Sequence, residues 1–316
     1  MICNSPKLSI IIPCCNEGLM IEKTNQAVLR LLEQMVSDGQ VSKESFIIYI
    51  DDGSKDATWE LIERFSAQFQ MVKGLKLSRN FGHQSALIAG LEEVAEKVDI
   101  NVCIDADLQH DIYKIPEFVR LYKEGAHLVF GVKNDRSTDG LFKKFSAQFF
   151  YKLLSFFGTS LIYNHADFRL MSREALNSLL DYKEVNLFLR GIIPLLGFKS
   201  AKVYYDVKTR DFGESKYSLK KMLSLAIEGI TSFSVTPLRF ITMLGLLTCL
   251  GSFIAILGTI HSYYFDKIVP GWASIIVTIY FFGGVQLVSI GIIGEYVGKI
   301  YKEVKKRPRY TIESKI

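Results

Sequence analysis

The chain has 316 residues, of which 49% are hydrophobic and 22% are charged, and its formal net charge at pH 7 is +5. This length allows one large domain or two ordinary ones, and the modest charge, with no nucleic-acid motif in the sequence, excludes nucleic acid as an expected partner. The five cysteines have neither zinc-ligand spacing nor a pattern suited to disulfides, which favours a reducing compartment.

The first part of the chain alternates predicted strands with predicted helices. Short β-branched and apolar runs at 8–12 and 46–50 predict buried strands, because turn residues stop each run. Helical spacing of apolar residues predicts a helix at 19–35 between them. The same criteria predict further strands at 72–77, 100–104 and 127–132 and further helices at 58–69 and 84–97. This alternation predicts an α/β fold with a mostly parallel sheet and helices on both faces.

Polar residues follow three of the predicted strands. Asp51 and Asp52 follow the second strand, Arg79 follows the third, and Asp105 and Asp107 follow the fourth. Because ligands of such sheets bind at the carboxyl ends of the strands, we expect these side chains to share one rim.

Asp105 and Asp107 are separated by one residue at the end of a predicted buried strand. Paired carboxylates of this kind suit Mg²⁺ or Mn²⁺, which commonly bridge to phosphates. The leading hypothesis is therefore the metal-diphosphate site of an enzyme that uses a nucleotide sugar. The alternative is that the two aspartates are turn residues or a helix cap.

Two long stretches, 240–265 and 268–294, contain no Asp, Glu, Lys or Arg. Each exceeds the roughly 20 apolar residues that cross a hydrocarbon core, so the sequence predicts transmembrane helices at about 240–262 and 272–294. The alternative is a buried helical hairpin of a soluble domain.

Basic residues flank the two stretches on their outer sides. The positive-inside rule therefore predicts that both termini and the large N-terminal part lie in the cytosol. No charged segment followed by a long apolar run opens the chain, so no signal peptide is expected. The basic residues are Lys220, Lys221 and Arg239 before the first stretch and Lys299, Lys302, Lys305, Lys306, Arg307 and Arg309 after the second.

The sequence also predicts domain boundaries. Residues 1–230 form the predicted cytosolic domain, residues 231–298 the membrane domain, and residues 299–316 a basic cytosolic tail. Segments at 141–157 and 219–230 combine apolar residues with lysines, which is typical of helices in the membrane interface. An ordinary amphipathic helix packed on the sheet is the alternative for the first of them.

Four motifs in chain order carry a family resemblance: Pro13-Cys14-Cys15-Asn16-Glu17, Asp51-Asp52-Gly53-Ser54-Lys55-Asp56, Arg79-Asn80-Phe81-Gly82 and Asp105-Ala106-Asp107-Leu108-Gln109. With them the chain resembles family 2 glycosyltransferases that have a GT-A fold. Four further motifs are similar to those of polyisoprenyl-phosphate glycosyltransferases, especially the bactoprenol glucosyltransferases of O-antigen modification, with the dolichyl-phosphate mannose synthases as relatives. These motifs occupy residues 136–140, 166–173, 212–218 and 294–298.

The resemblance implies transfer of a hexose to undecaprenyl phosphate, with UDP-glucose as the leading donor and inversion at the anomeric carbon. It places the enzyme in the bacterial cytoplasmic (inner) membrane as a multi-pass protein, where it modifies a cell-envelope glycan such as lipopolysaccharide. The resemblance further implies that Pro13, Glu17, Asp52 and Asp105 bind the nucleotide. It implies that Asp105, Asp107 and Gln109 bind Mg²⁺ or Mn²⁺.

The acceptor half of the site can be considered from its chemistry. A phosphate monoester has a second pKa of about 6 and is largely ionised at pH 7, so a strong general base is less necessary than for a hydroxyl acceptor. Arg136, Arg210 and Lys216 are candidates to bind this phosphate; each is otherwise a solvated surface charge. Asp167 is a candidate to orient the acceptor or nearby arginines or to take the residual proton. The alternative for Asp167 is a cap before the helix that follows Ser172.

Other functions stay open as alternatives. The donor alternatives are a 4-amino-arabinose-type sugar, a UDP-N-acetylhexosamine and GDP-mannose. A processive polysaccharide synthase is less favoured, because neither Trp59 nor Trp272 lies in the Gln-x-x-Arg-Trp pattern of such enzymes. A non-catalytic membrane scaffold is the alternative from a different class. Self-association into a homo-oligomer through Gly283 and Gly284 is a further hypothesis.

Overall fold

The computed structural model describes residues 5–134, 165–184, 188–206, 235–265 and 271–316. Arg136, Arg210 and Lys216 lie outside the described residues, as do the segments predicted to be interface helices. The described residues fall into two compact units. The sheet unit contains the described residues up to 206 together with 307–316, and the helical unit contains 235–265 and 271–306.

One mixed sheet forms the centre of the sheet unit. Its strand order is β7-β5-β6-β4-β1-β2-β3-β8. Within it β1 pairs in parallel with β2 and β4, β2 with β3, and β5 with β7, whereas β6 and β8 pair antiparallel to their neighbours. The strands are β1 (Leu8–Cys14), β2 (Phe46–Asp51), β3 (Val72–Leu77), β4 (Ile100–Cys103), β5 (Leu128–Lys133), β6 (His165–Ser172), β7 (Ser200–Tyr205) and β8 (Ile312–Lys315).

Helices follow most of these strands. In the sheet unit they are α1 (Ile21–Ser37), α2 (Thr58–Gln68), α3 (His83–Val94), α4 (Ile115–Lys123), α5 (Arg173–Leu180) and α6 (Leu189–Leu195), with one 3₁₀ turn at Ile112–Lys114. The α/β prediction with a mostly parallel sheet is therefore confirmed. All five strands predicted before residue 134 are present, and their ends shift by at most two residues.

The core lies on both faces of β1. Every residue of β1 is buried, as expected for a central parallel strand covered by helices on either side. Ile10 and Ile12 belong to the cluster that includes the buried apolar residues of α1. The opposite face is covered by α3, whose Gly90 lies against Ile11 and Ile50. Alternation along one buried strand thus fixes both helical layers.

Two long helices form the described part of the helical unit, α7 (Thr236–Phe265) and α8 (Trp272–Lys305). Among the described residues, one stretch, Phe281–Lys305, is long and apolar enough to cross a membrane. Large apolar side chains on both helices are exposed, for example Leu246 at 68% and Leu287 at 72%. Such a surface is unfavourable in water and suits contact with lipid.

The sequence analysis did not predict β8. This strand follows α8 closely and pairs antiparallel with β3 at the edge of the sheet. The amides and carbonyls of Gly74 and Ile316 exchange two hydrogen bonds of 3.0 Å, and the Ser78 amide donates to the Thr311 carbonyl at 3.0 Å. The strand Ile-Glu-Ser-Lys carries charge, as edge strands commonly do, so it has no alternating apolar signal.

Deletion of residues 307–316 should destabilise the sheet unit, because it leaves the edge of β3 unpaired. We expect the free energy of unfolding to fall by about 2–4 kcal/mol. The chain has two tryptophans, so in a Trp272→Phe background urea unfolding can be followed through Trp59 of α2 alone. The control is Glu313→Gln with Lys315→Gln, which removes exposed ion pairs only and should cost about 1 kcal/mol or less. Equal stability of the deletion and the control would contradict a structural role for β8.

Candidate active site

The carboxyl ends of β1, β2 and β4 meet at one edge of the sheet. Cys14 at the end of β1 lies opposite Asp51 of β2, and the Asp52 amide donates to the Cys14 carbonyl at 2.9 Å. On the other side of β1, the Ile104 amide donates to the Ile11 carbonyl at 3.1 Å. Asp52 and the residues after Ile104 therefore flank the end of β1, as the sequence analysis expected.

The loops after β1 and β2 are tied to each other by side-chain hydrogen bonds. The Asn16 amide donates to Ser54 Oγ at 2.9 Å, and the Glu17 amide donates to Thr58 Oγ1 at 3.0 Å. Pro13 is buried within β1, and Glu17 is half-buried just before α1. The first two motifs thus form one connected structure at the edge of the sheet.

Asp52 organises the loop between β3 and α3. Its side chain is buried, and its two oxygens accept hydrogen bonds from the Phe81 amide at 2.7 Å and the Gly82 amide at 2.9 Å. The Arg79 guanidinium lies over the Phe81 ring, 3.9 Å from its centroid. Asp52 therefore connects the second and third motifs, while its predicted role in nucleotide binding stays a prediction.

Gly53 allows the close approach of these two loops. Its φ is +64°, and a Cβ at this position would lie 2.3 Å from the carbonyl carbon of Arg79. Both the backbone conformation and the space therefore require glycine.

Asp105 and Asp107 lie in the turn that follows β4, and both are half-buried. Asp107 Oδ1 accepts a hydrogen bond from the Gln109 amide at 3.1 Å, and Leu108 between them has a φ of +54°. Asp105 keeps 36% of its side-chain surface exposed. Asp107 thus makes a turn contact, yet the turn leaves both carboxylates accessible at the edge of the sheet.

These residues suit a metal that shares its ligands with a substrate. Among the described residues, no group of three or more His, Cys, Asp and Glu side chains could hold an ion by itself. Mg²⁺ typically takes one or two carboxylates and completes its octahedron with water and substrate phosphates. Two accessible carboxylates from Asp105 and Asp107, with Gln109 beside them, fit that arrangement and do not fit a closed protein cage.

His110 supports this turn from beneath. Its ring is buried, stacks on Phe168 at 5.2 Å and meets the edge of Tyr205 at 5.8 Å. His110 Nδ1 accepts a hydrogen bond from the Asp105 amide at 3.3 Å, and Nε2 lies 3.5 Å from Asp105 Oδ2. Burial lowers the pKa of His110, so the neutral imidazole orients Asp105.

Asp167 is the centre of a buried group of charges. Only 4% of its side-chain surface is exposed. Arg190 donates to it through Nη2 at 2.7 Å and Nε at 3.3 Å, and Arg169 Nη1 lies 3.5 Å from Oδ1. Burial raises the pKa of Asp167, but Arg190, His83 and Arg169 outweigh it and hold the pKa well below its usual range.

The cap alternative for Asp167 is wrong. Ser172 is the N-cap of α5, because its Oγ accepts a hydrogen bond from the Ala175 amide at 3.2 Å. Asp167 instead lies toward the other end of β6, where it contacts charged side chains.

His83 connects Asp167 with Asp105. At the start of α3, its Nε2 lies 3.4 Å from Asp167 Oδ2 and 3.8 Å from Asp105 Oδ1. Burial lowers the pKa of His83, but the hydrogen bond to Asp167 and the charge of Asp105 outweigh it and raise the pKa. The sequence analysis did not select His83, Arg169 or Arg190. His83 follows the third motif directly and Arg169 lies within the motif at 166–173, whereas Arg190 lies outside all the recognised motifs.

The site defines a class of protein: an α/β enzyme whose mostly parallel sheet presents accessible carboxylates at its carboxyl edge. The sequence matches the family model described as Glycosyl transferase family 2 over residues 9–180. The chain belongs to this family, and the protein is a glycosyltransferase with a GT-A-like sheet.

Relatives extend the similarity beyond this region. The "Uncharacterized glycosyltransferase YkoT" of Bacillus subtilis (strain 168) is 48% identical over 310 residues, which cover 98% of this chain and 92% of the relative. The "Bactoprenol glucosyl transferase" of Shigella phage SfX is 40% identical over 316 residues, which cover 98% of this chain and 99% of the relative. A solved glucosyl-3-phosphoglycerate synthase from Mycobacterium tuberculosis is 21% identical with a TM-score of 0.43, covering 72% of this chain and 78% of that chain.

Gly53→Ala should disrupt the site more than an ordinary glycine substitution. We expect a loss of about 2–5 kcal/mol in the free energy of unfolding, from the left-handed backbone and the clash with Arg79 together. The matched control is Gly39→Ala, where φ is +67° and a Cβ would meet nothing within 4 Å. That control isolates the backbone cost of about 1–2 kcal/mol. Equal losses of unfolding free energy in the two variants would show that the close approach at Gly53 does not contribute to stability.

Proposed function

We propose that this glycosyltransferase transfers a hexose from a nucleotide diphosphate to undecaprenyl phosphate with inversion, and that UDP-glucose is the donor. The observation that carries the proposal is the accessible pair Asp105 and Asp107 at the carboxyl edge of the sheet, beside the buried charges around Asp167. The relative named bactoprenol glucosyl transferase, 40% identical over nearly the whole chain, supports the choice of sugar and acceptor.

The donor half of the site binds the nucleotide diphosphate. Asp105, Asp107 and Gln109 would hold Mg²⁺ or Mn²⁺, which when bound neutralises charge on the diphosphate as it leaves. Pro13, Glu17 and Asp52, together with Asp105, would position the nucleotide. His110 keeps Asp105 oriented, so the carboxylate needs little rearrangement when the donor binds.

The acceptor half of the site needs little acid-base catalysis. An oxygen of the acceptor phosphate attacks the anomeric carbon, and the bond from that carbon to the diphosphate oxygen breaks. Since a phosphate monoester is already largely ionised at pH 7, no strong base is required. Asp167 is itself held as an anion by Arg190 and Arg169, which favours the orienting role over proton transfer. Arg136, Arg210 and Lys216 remain candidates for the acceptor phosphate.

The helical unit serves to reach the lipid. A polyprenyl chain leaves the bilayer only at a cost of about 0.8 kcal/mol per exposed methylene, so the enzyme has to work at the membrane surface. In the proposal, α7 and α8 both span the bacterial inner membrane, and both termini lie in the cytosol. The apolar stretch Phe281–Lys305 and the basic residues on the outer sides of the helices support this topology.

A transfer assay tests the reaction. Purified enzyme with undecaprenyl phosphate should turn over UDP-glucose with Mg²⁺ or Mn²⁺, lose activity with EDTA, and form a β-linked product from the α-linked donor. Asp107→Asn should lower kcat/KM by about 10²-fold or more, because it removes a charged ligand of the metal. Asp111→Asn, a control that removes a nearby carboxylate, should change it little. Turnover with only a UDP-N-acetylhexosamine, a 4-amino-arabinose donor or GDP-mannose would overturn the assignment of glucose.

A second test separates chemistry from membrane access. Residues 235–306 are replaced by a Gly/Ser linker, so that β8 remains to pair with β3. This variant should still use a short, water-soluble prenyl phosphate but should lose transfer to undecaprenyl phosphate in bilayers. Full activity on the long lipid in bilayers would contradict a role for the helices in reaching the acceptor.

A further inference from the structure

Asp167 is the shared anion of a buried group of charges. Two guanidinium groups, those of Arg169 and Arg190, face one carboxylate. Arg169 is fully buried, and among the described residues its three side-chain nitrogens have no hydrogen bond of normal geometry. Asp167 at 3.5 Å is the anion beside it. A buried guanidinium without a counter-charge strongly destabilises the folded state. The charge of Asp167 therefore stabilises Arg169 in its buried position.

Arg190 shares the charge of Asp167 with Arg169. Unlike Arg169, it keeps 39% of its side-chain surface exposed. Its Nε and Nη2 both donate to Asp167, which fixes the plane of the guanidinium group. A planar, pre-oriented and accessible guanidinium is well suited to bind a phosphate through paired hydrogen bonds.

The position of Arg190 relative to Asp105 bears on which phosphate it would contact. The side chains lie in the order Asp105, His83, Asp167 and Arg190, with successive separations of 3.8, 3.4 and 2.7 Å. The donor diphosphate belongs with Asp105 and Asp107 at one end of this row. In an inverting displacement the nucleophile approaches opposite to the leaving group, so the acceptor belongs toward the other end.

We propose that Arg190 binds the phosphate of the lipid acceptor, and that Asp167 and Arg169 are positioning residues that hold Arg190 in place. This inference rests on the proposed function for the identity of the acceptor. It assigns to Asp167 a role that acts through Arg190 and not through contact with the reacting atoms. The donor diphosphate is the other phosphate group that an arginine in this site would recognise. The experiment below distinguishes binding of the donor from binding of the acceptor.

The test uses the full-length protein in nanodiscs and compares wild type, Arg190→Gln and Arg190→Lys. The matched control is Arg173→Gln. Arg173 makes a comparable ion pair with Asp99 at 3.0 Å, and Asp99 lies just before β4, at the opposite end of that strand from Asp105. Arg190→Gln should raise the KM for undecaprenyl phosphate about tenfold or more, which corresponds to loss of one charge-assisted phosphate contact. Arg190→Lys should raise it less, and Arg173→Gln should leave it unchanged.

Binding measurements distinguish contact of Arg190 with the donor diphosphate from contact with the acceptor phosphate. They also separate the role of Arg190 from the proposed function. Calorimetry with UDP and Mn²⁺ should give equal affinities for wild type and Arg190→Gln, whereas undecaprenyl phosphate without donor should bind the variant about tenfold more weakly. Weaker UDP binding with unchanged lipid binding would overturn the acceptor assignment. If wild type transfers no sugar from any donor, the proposed function fails, yet the lipid-binding comparison still decides the role of Arg190.

A double-mutant cycle tests the positioning role. Asp167→Asn should raise the KM for undecaprenyl phosphate in the wild-type background but add little in the Arg190→Gln background, because its effect passes through Arg190. Additive effects would overturn this part of the inference. If Arg190→Gln fails to fold, the same comparison with Arg190→Lys serves: an unchanged KM for the lipid in that variant, where the paired contact with Asp167 is lost, would count against the proposal.

Discussion

The parallel pairing of β1 with both β2 and β4 is the constraint on which the site depends. Because parallel strands end at the same edge, the register that sets Cys14 opposite Asp51 and Ile11 opposite Cys103 brings Asp52 and Asp105 to the two sides of one strand end. A slip of one residue in either pairing would turn the buried side chains of β1 toward the wrong face. The packing of β1 between two helical layers therefore also fixes the spacing of Asp52 and Asp105.

The antiparallel strand β6 adds the second half of the site. Cys103 of β4 lies opposite Arg169, so β6 passes the end of β4 and carries Asp167 toward Asp105. The buried Arg169 forms an ion pair with Asp167, and Asp167 forms a second ion pair with Arg190, whose side chain is partly exposed. Removing one partner of a buried pair typically costs about 3–5 kcal/mol, because the remaining charge is left uncompensated. The same ion pairs thus contribute to both stability and the geometry of the site.

Features coded by neighbouring residues could be predicted from the sequence. The β-branched runs of β1 and β2, the helical spacing of α1 and the aspartates after β4 are all visible within short windows. His83 and Arg190 could not be selected in that way, since their partner Asp167 lies on another element, β6. Arg169 lies on the same strand as Asp167, but its complete burial follows from the packing of the whole sheet unit. The strand β8 was missed for a related reason: it is short and charged, and it forms because the edge of β3 is available. Periodicity reports burial, whereas these features depend on which strands pair.

The proposed phosphate acceptor would account for the buried ion pairs around Asp167. A hydroxyl acceptor needs a group that takes its proton, and such a group needs a pKa near the working pH. Asp167 has the opposite property, since Arg190, His83 and Arg169 hold its pKa well below the usual range. In the proposed reaction the acceptor is already an anion, and it would approach a second anion, the donor diphosphate, against electrostatic repulsion. In the proposed reaction, fixed positive charge beside the acceptor would oppose that repulsion. The guanidinium of Arg190, oriented by the buried carboxylate of Asp167, would supply that charge.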